Sequence, residues 1–464
     1  MAHHFPEKQE TKETLMSNES FHVAIIGGGI GGLCLAQGLS KAGVSVTVYE
    51  RDRTRTDRLQ GYRIHISPKG SRALYECLPA NLYKTFLSTC SLWNDRFSFL
   101  TDQMQELLAL ETVGDSHQID SHKSISRITL REVLLAGLEE IVHFDKVFVR
   151  YRETDDGNIV AYFEDGTAVK CDVLVAADGG NSRVRRQFLP QANRIDTGVR
   201  GIAGKFILTD EGRRLLSPEL LRGPALVLTS KRRSMFIAPH EVQRVKQGSA
   251  GGFGGNDSAS ILNPGPVFDN TKSYIMWGFG APREDLRSLG DPEHLGGAEL
   301  HDLVRKSIVQ WHPDLQDLVR LSDPATVSLQ HIRSAVPIAH WETKRITLLG
   351  DAIHSMTPYR GIGGNVALCD ASLLCKNLAA AQHGEKSLLR AIHDYELEMV
   401  EYGFKAVRTS MRALEQTITD KALAFAFRKT IFRFLNAVPA LKRRAFQPTD
   451  LRRHHHYMRD STLN

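Results

Sequence analysis

The sequence predicts an α/β fold: a parallel β-α-β unit opens the chain, a β-rich segment interrupts it, and the first unit resumes before a run of C-terminal helices. Three observations carry this. Val23-Ala24-Ile25-Ile26 is an apolar run suited to a strand buried on both faces, and residues 44–49 alternate as a second strand does. Residues 146–177 change texture to short strand runs broken by Asp155-Asp156-Gly157 and Asp165-Gly166, the pattern of a β-meander. After Arg345 a strand, a turn and a helix follow one another again.

Taken in order, residues 33–42 read as a helix closed by Gly43, which joins the first two strands. A third apolar stretch at 61–66 ends before Pro68, and a helix runs on through Leu78. Leu130, Val133, Leu134 and Leu138 mark a helix after Arg127, capped by Ser126 or Thr129. Strands follow at 147–149, 160–163 and 173–176, then at 225–228, 235–238 and 274–279. The glycine- and serine-rich stretch 248–260 reads as a surface insertion, with a gating lid as its functional alternative. The division expected is a tail at 1–20, a first unit at 21–197, a β-rich unit at 198–335, the returning unit at 336–400 and a helical region at 401–464.

Composition narrows the class. A chain of 464 residues with 42% hydrophobic and 24% charged residues suits a globular enzyme of two joined domains. The net charge of +6 is a mildly basic surface that favours anionic ligands, and no basic stripe with aromatic partners points to nucleic acid. Six scattered cysteines without a CxxC pair suit a reducing compartment and packing roles, not disulfides or a metal site. The polar N-terminus has no apolar signal core and no run of 18 apolar residues exists, so a cytoplasmic chain without a transmembrane span is expected, as a monomer or homodimer. Residues 422–438 come nearest to a span but carry Arg428, Lys429 and Arg433, so an amphipathic helix docked on the body is expected in preference to one lying on a membrane. The run His454-His455-His456 reads as a solvated tail.

The chemistry begins in the run Gly27-Gly28-Gly29-Ile30-Gly31-Gly32, which holds GxGxxG at Gly27, Gly29 and Gly32. The first glycine permits a tight turn, the second lets backbone approach a pyrophosphate, and the third lets helix and strand pack closely. Glu50 stands 23 residues beyond Gly27, at the end of the second strand, where an acid suits ribose hydroxyls; Arg51 adds a cation beside it. Nothing in this motif separates one dinucleotide from another.

Two later segments do. Asp172 to Arg185, containing Asp178-Gly179, resembles the Asp-Gly motif of the flavoprotein aromatic hydroxylases. Leu348-Leu349-Gly350-Asp351 to Pro358, running on into Gly361-Ile362-Gly363-Gly364-Asn365, resembles their Gly-Asp motif. With the glycine turn, the three ordered motifs are similar to those of single-component FAD monooxygenases, most of all salicylate-hydroxylase-like and tetracycline-inactivating enzymes of secondary metabolism. The resemblance implies a Rossmann-like FAD-binding domain of the hydroxybenzoate-hydroxylase type, with a β-sheet substrate domain inserted and C-terminal helices. It implies FAD as cofactor and NADPH or NADH as electron donor. O2 would add at the flavin C4a carbon, and one oxygen atom would pass from that peroxide to an aromatic or polycyclic substrate.

Residue roles follow from the same resemblance. Asp351 would accept from a ribityl hydroxyl, and Pro358 and Gly361 would shape the turn past the flavin. Gly363, Gly364 and Asn365 would open a helix whose N–H groups face the pyrimidine edge. Gly31 completes the glycine turn, Arg127 would meet the pyrophosphate or ribityl chain, and Asp178 would serve FAD and NADPH handling. Arg185 is either part of that machinery or a scaffold ion-pair partner. The usual Gly-Gln-Gly is Gly361-Ile362-Gly363 here, so any role for an amide at 362 is lost. His65 and Arg63 share one face of a strand and are the candidates for a polar contact at the flavin, with His65 a base candidate; His354 reads as a packing residue. Met235, Ile237, Met276 and Phe279 are the candidates for the substrate wall.

Rival readings differ in single features. A flavin halogenase would carry Trp-x-Trp, and Trp93, Trp277, Trp311 and Trp341 never fall two apart. A flavin-retaining cyclase or scaffold would grip FAD in the same way without redox turnover, and a non-enzymatic module would not need three redox-cofactor motifs. Hydroxylation, epoxidation and Baeyer–Villiger outcomes stay open at this stage.

Overall fold

The computed structural model describes residues 20–55, 62–91, 96–111, 119–242 and 272–446. The tail before Ser20, the stretch 248–260, Trp93 and the histidine run at 454–456 lie outside the described residues. Along the chain, β1 (His22–Ile26) leads through α1 (Ile30–Lys41) to β2 (Ser45–Tyr49). Then come β3 (Arg63–Ile66), α2 (Pro68–Cys77), α3 (Ala80–Thr89), β4 (Arg96–Thr101), β5 (Glu106–Glu111), β6 (Lys123–Ser126), α4 (Arg127–Leu135) and β7 (Val142–His143). A meander of β8 (Phe148–Glu153), β9 (Ile159–Phe163) and β10 (Ala168–Cys171) precedes β11 (Val173–Ala176) and α5 (Arg183–Phe188). The middle of the chain holds β12 (Arg194–Ile207), α6 (Asp210–Leu215), β13 (Ala225–Leu228), β14 (Ser234–His240), β15 (Tyr274–Pro282), α7 (Arg283–Arg287), α8 (Gly297–Ser307), α9 (Pro313–Arg320) and β16 (Ser328–Ala335). The chain returns through β17 (Ile346–Leu348), α10 (Asp351–His354), α11 (Gly363–Gln382), α12 (Leu388–Thr417), α13 (Ala422–Ala437) and α14 (Pro439–Phe446).

Within the described residues a parallel five-stranded sheet has the order β17-β11-β1-β2-β7. Strands are added on one side of β1 first and on the other side later, and Ile26 stands level with both Tyr49 and Ala176, so the residues after three strands meet at one edge. Such a switch point is where open α/β sheets take ligands. The run Val23 to Ile26 and all of β11 are buried, as strands covered on both faces must be.

A second sheet has the order β16-β12-β15-β14-β13-β4-β5. It draws β4 and β5 from residues 96–111 and starts β12 at Arg194, so the expected border at 197/198 and the edges of this sheet do not coincide. One face carries its own core, with Met235, Ile237, Trp277 and Phe279 packed among the apolar residues of α8 and α9. Helices therefore belong to a segment whose strand-like texture had masked them.

Glycines explain where α1 begins. It starts at Ile30, three residues before the stretch the sequence suggests, and includes Gly31, Gly32 and Gly38. A Cβ on Gly31 would come within 2.7 Å of Leu349, and one on Gly38 within 2.7 Å of the Cys375 sulfur and 3.2 Å of the Cys77 sulfur. Close packing of α1 on α2 and α11 outweighs the weak helix propensity of glycine. The cap expected at α4 is absent: Ser126 holds the N-cap position, but its hydroxyl is buried without a hydrogen-bond partner. No helix among the described residues is long and apolar enough to cross a membrane.

Candidate active site

The turn after β1 is held by sterics and by one carboxylate. Gly27 has φ +112°, and a Cβ there would lie 2.4 Å from the Ala177 carbonyl oxygen, so only glycine fits. A Cβ on Gly32 would lie 2.2 Å from the Gly27 oxygen, which fixes that glycine as the helix–strand contact. A Cβ on Gly29 would meet nothing within 4 Å. Gly29 therefore faces open space, at the N-terminus of a helix with no side-chain cap. The Glu50 carboxylate is buried; it accepts from Gly28 N at 2.5 Å and from Asp52 N at 3.0 Å. It thus pins the turn as well as lining the space beside it.

That space is a cavity of about 730 Å³ whose wall includes Gly27, Gly29, Glu50, Arg51, Arg127, Arg131 and Asp178. Arg127, exposed at the start of α4, makes no side-chain hydrogen bond or ion pair among the described residues. Arg131, one turn on and not foreseen from the sequence, donates to Gly28 O at 3.2 Å and Arg55 O at 2.8 Å. Its four-residue spacing from Arg127 places both on one helix face, the signal that would have found it. Asp178 accepts from Arg183 N at 2.8 Å, while its Oδ1 is buried without a partner. Burial raises its pKa. Open space at Gly29, uncapped helix N–H groups and an unengaged guanidinium fit the pyrophosphate of a dinucleotide.

The Gly-Asp segment is braced from two sides. Gly350 has φ +61°, and its N–H donates to Asp370 Oδ2 at 2.7 Å. His354 Nε2 meets the same oxygen at 2.7 Å, and the Tyr402 hydroxyl donates to Asp370 Oδ1 at 2.5 Å. Burial alone would lower the His354 pKa, but the Asp370 carboxylate, with Asp351 behind it, outweighs burial and raises it. Arg185 donates to Ala352 O at 2.7 Å and to Gly180 O at 3.0 Å, so it ties the Asp-Gly segment to the Gly-Asp segment through carbonyls, not as half of an ion pair. Asp351 is exposed at the start of α10, within the field of Arg194.

Pro358 opens a short 3-10 turn that Gly361 ends at φ +60°. The twenty-residue α11 then begins at Gly363 and Gly364 with no side-chain cap, which leaves its first N–H groups without a side-chain acceptor. A Cβ on Gly364 would meet Ile64 at 2.6 Å, so this helix end lies against β3. Asn365 makes that junction: its Oδ1 accepts from Ser67 N at 2.7 Å and its Nδ2 donates to His65 O at 2.8 Å.

A second cavity, of about 430 Å³, is lined by Arg63, His65 and His122, by Met276 and Phe236 of the large sheet, and by Pro358 and Gly361. The Arg63 Nε donates to Ser124 Oγ at 2.6 Å, and no carboxylate among the described residues pairs with the guanidinium. Burial pulls its pKa to about 10, which still leaves it charged at neutral pH. His65 faces His122 at 3.1 Å between ring nitrogens, with the rings stacked at 5.0 Å. Burial, then Arg63 and His122, push the His65 pKa to about 3, so the ring is neutral.

Not every expected wall residue is here. Met235 and Ile237 point the other way, into the core beneath the sheet, because side chains alternate along β14; Phe236 between them lines the cavity. Phe279 borders the cavity, but its ring packs on Trp311 at 6.2 Å between centroids. Phe97 and Leu110, from β4 and β5, also line it and were not singled out, since pairing with a strand over a hundred residues away leaves no local signal.

A family profile described as an FAD binding domain matches residues 305–410, and one described as an NAD(P)-binding Rossmann-like domain matches residues 25–76. A solved structure from Photorhabdus luminescens subsp. laumondii, described as an FAD-containing monooxygenase, is 36% identical with a TM-score of 0.74, across 86% of this chain and 99% of that one. The chain belongs to the FAD-dependent monooxygenases. Its cofactor is FAD. This monooxygenase is also similar to the dual O-methyltransferase/FAD-dependent monooxygenase elcB of Phaeosphaeria nodorum, 30% identical over 395 residues, which are 80% of this chain and 42% of that protein. It therefore spans less than half of that relative. A 3-amino-4-hydroxybenzoate 2-monooxygenase of Streptomyces platensis is 26% identical over 395 residues, 83% of this chain and 87% of the relative.

Proposed function

We propose that the monooxygenase uses NAD(P)H and O2 to insert one oxygen atom into an aromatic or polycyclic small molecule bearing an acidic oxygen group. The observation that carries this is Arg63, a charged guanidinium with no carboxylate partner among the described residues, at a cavity whose other walls include Phe97, Leu110, Phe236 and Met276. Apolar walls with one aimed cation suit a flat ring with an anionic substituent. The Streptomyces platensis relative is named for a ring with a carboxylate and a hydroxyl, which supports the reading.

Bound FAD supplies electron transfer from NAD(P)H to O2 and the activation of that oxygen. The chain binds and orients. Gly29, the N-terminus of α1 and Arg127 would hold the pyrophosphate, Glu50 a ribose, and Asp351 the ribityl chain. The first N–H groups of α11, at Gly363, Gly364 and Asn365, would face the pyrimidine edge, with Pro358 and Gly361 shaping the turn beside it. Arg63 would seat the acidic oxygen of the substrate and favour its ionised form. His65, with a pKa near 3, is too weak a base to hold a phenol proton at neutral pH, so it serves as a neutral hydrogen-bonding wall and Arg63 carries the electrostatic work. The apolar wall excludes water from the reacting atoms.

The test is NADPH- and NADH-dependent oxygen uptake by the FAD-loaded protein over phenols and naphthols, each with and without a carboxylate. Turnover of ionisable substrates is expected, with KM rising roughly ten- to a hundredfold in Arg63→Gln. A bound flavin that neither nicotinamide reduces, with or without substrates, overturns the proposal.

A further inference from the structure

Beyond the active site, α13 and α14 present a surface that the fold does not use. α13 docks on the β4–β5 hairpin through one side: Phe432 packs on Phe99 with 4.9 Å between centroids, Asn436 Oδ1 accepts from Ala109 N at 3.1 Å, and Arg433 donates to Gln105 at 3.1 Å. The opposite side carries Leu423, Phe427 and Phe434, which are 88%, 69% and 57% exposed, together with Ile431. These positions advance by four, four and three residues, so they fall on one stripe of the helix. Leu441 and Phe446 of α14 are exposed as well. Such an apolar patch calls for a partner.

The charge around it says which. From Lys421 to Phe446 the sequence has seven cations, at Lys421, Arg428, Lys429, Arg433, Lys442, Arg443 and Arg444, and no acid. Arg428 turns inward to the Gln416 carbonyl, Arg433 reaches the turn before β5 and Lys429 lies on that same docked side, which leaves Lys421 and the Lys442-Arg443-Arg444 cluster flanking the stripe in sequence. Exposed Leu and Phe flanked by Lys and Arg, with no acid between them, are the makeup of a helix that lies in the interface of an anionic bilayer. A protein groove that accepts an amphipathic helix would need that helix free of its own body, and here one face is already docked.

We propose that α13 and α14 seat this monooxygenase on an anionic lipid surface, with Leu423, Phe427, Ile431 and Phe434 entering the acyl boundary and the basic cluster meeting the headgroups. The expectation that this helix docks on the body describes only its inner side. Position gives the contact a use, and this part rests on the function proposed above. Phe97 lines the substrate cavity and meets Phe99 at 5.2 Å between centroids, and Phe99 meets Phe432 of α13. The lipid-facing helix thus abuts the wall of the cavity, where a membrane-dissolved aromatic substrate would arrive.

The test is co-sedimentation of the full FAD-loaded chain with vesicles of phosphatidylcholine alone or mixed with phosphatidylglycerol, at low and high salt, without substrate. Binding is expected to rise with phosphatidylglycerol and to fall with salt. It should drop roughly tenfold or more in Leu423→Glu/Phe427→Glu/Phe434→Glu. Lys442→Glu/Arg443→Glu/Arg444→Glu should lose the preference for anionic lipid while keeping flavin content and melting temperature. A wild-type chain that stays in the supernatant with anionic vesicles at low salt overturns the proposal. So does a triple apolar variant that sediments as wild type does, or one whose only change is conversion of a dimer to a monomer in light scattering, which would give the stripe to a second copy. Because the readout is lipid binding, it stands or falls apart from turnover.

Discussion

Asp370 Oδ2 holds the backbone nitrogen of Gly350 and the His354 ring at the same 2.7 Å. One buried carboxylate therefore fixes both ends of the short helix that presents Asp351. Removing it leaves the buried His354 ring and the Gly350 N–H without their acceptor, a loss of roughly 1–3 kcal/mol for each group. Asp370→Ala is expected to lower the melting temperature and to yield protein with little flavin, measured as the ratio of flavin to protein absorbance. Full flavin occupancy in a stably folded Asp370→Ala protein would contradict this placement of Asp351.

Glu396 gives a pH dependence with a definite sign. It is fully buried, and burial raises its pKa from 4.5 to about 7 against the hydrogen bonds of Thr343, Thr347 and Trp341. A group whose folded pKa is raised contributes stability that is complete below its unfolded pKa and is lost as pH rises through the folded one. His354, also raised, acts in the same direction. Denaturant unfolding should show stability falling by on the order of 3 kcal/mol between weakly acidic and weakly alkaline pH. In Glu396→Gln this slope should flatten; an unchanged slope would remove Glu396 as its source.

Arg127 has no side-chain partner among the described residues, so its replacement should leave the protein fold intact. Arg127→Ala is expected to weaken FAD binding by about ten- to a hundredfold, the worth of a charge-assisted contact of roughly 1.5–3 kcal/mol. Titration of the flavin-free protein, with melting temperature as the control, checks this.

Gly29 and Gly32 of the first turn separate by the same logic. A methyl on Gly29 enters open space, so Gly29→Ala should fold and lose FAD. A methyl on Gly32 collides with the Gly27 oxygen, so Gly32→Ala should fail at folding, before binding is tested. Circular dichroism beside flavin content distinguishes the two outcomes.

Local signals were enough for β1, β2 and β11, because buried strands of a parallel sheet are short apolar runs, and for the glycine turn, because its spacing is its function. They were not enough where the tertiary partner decides. Ser126 looks like a cap, yet its backbone runs straight from β6 into α4 and its hydroxyl is left without a partner. Met235 and Phe236 are equally apolar, and only the register of β14 against β15 says which one faces the cavity. Arg185 was legible as part of the Asp-Gly motif, but its bond to Ala352 spans 167 positions in sequence and no local pattern holds it.

The seam between the two halves of the parallel sheet also sets a timetable. β17 pairs with β11, joining Ala176 to Leu348, and Gly350 and α11 follow directly after it. A nascent chain that has emerged only as far as β16 can assemble most of the large sheet and the glycine turn, while the surface meant for β17 waits uncovered. Cofactor capture is therefore a late event in biosynthesis, and an apolar strand edge on β11 stays open to wrong partners until β17 leaves the ribosome.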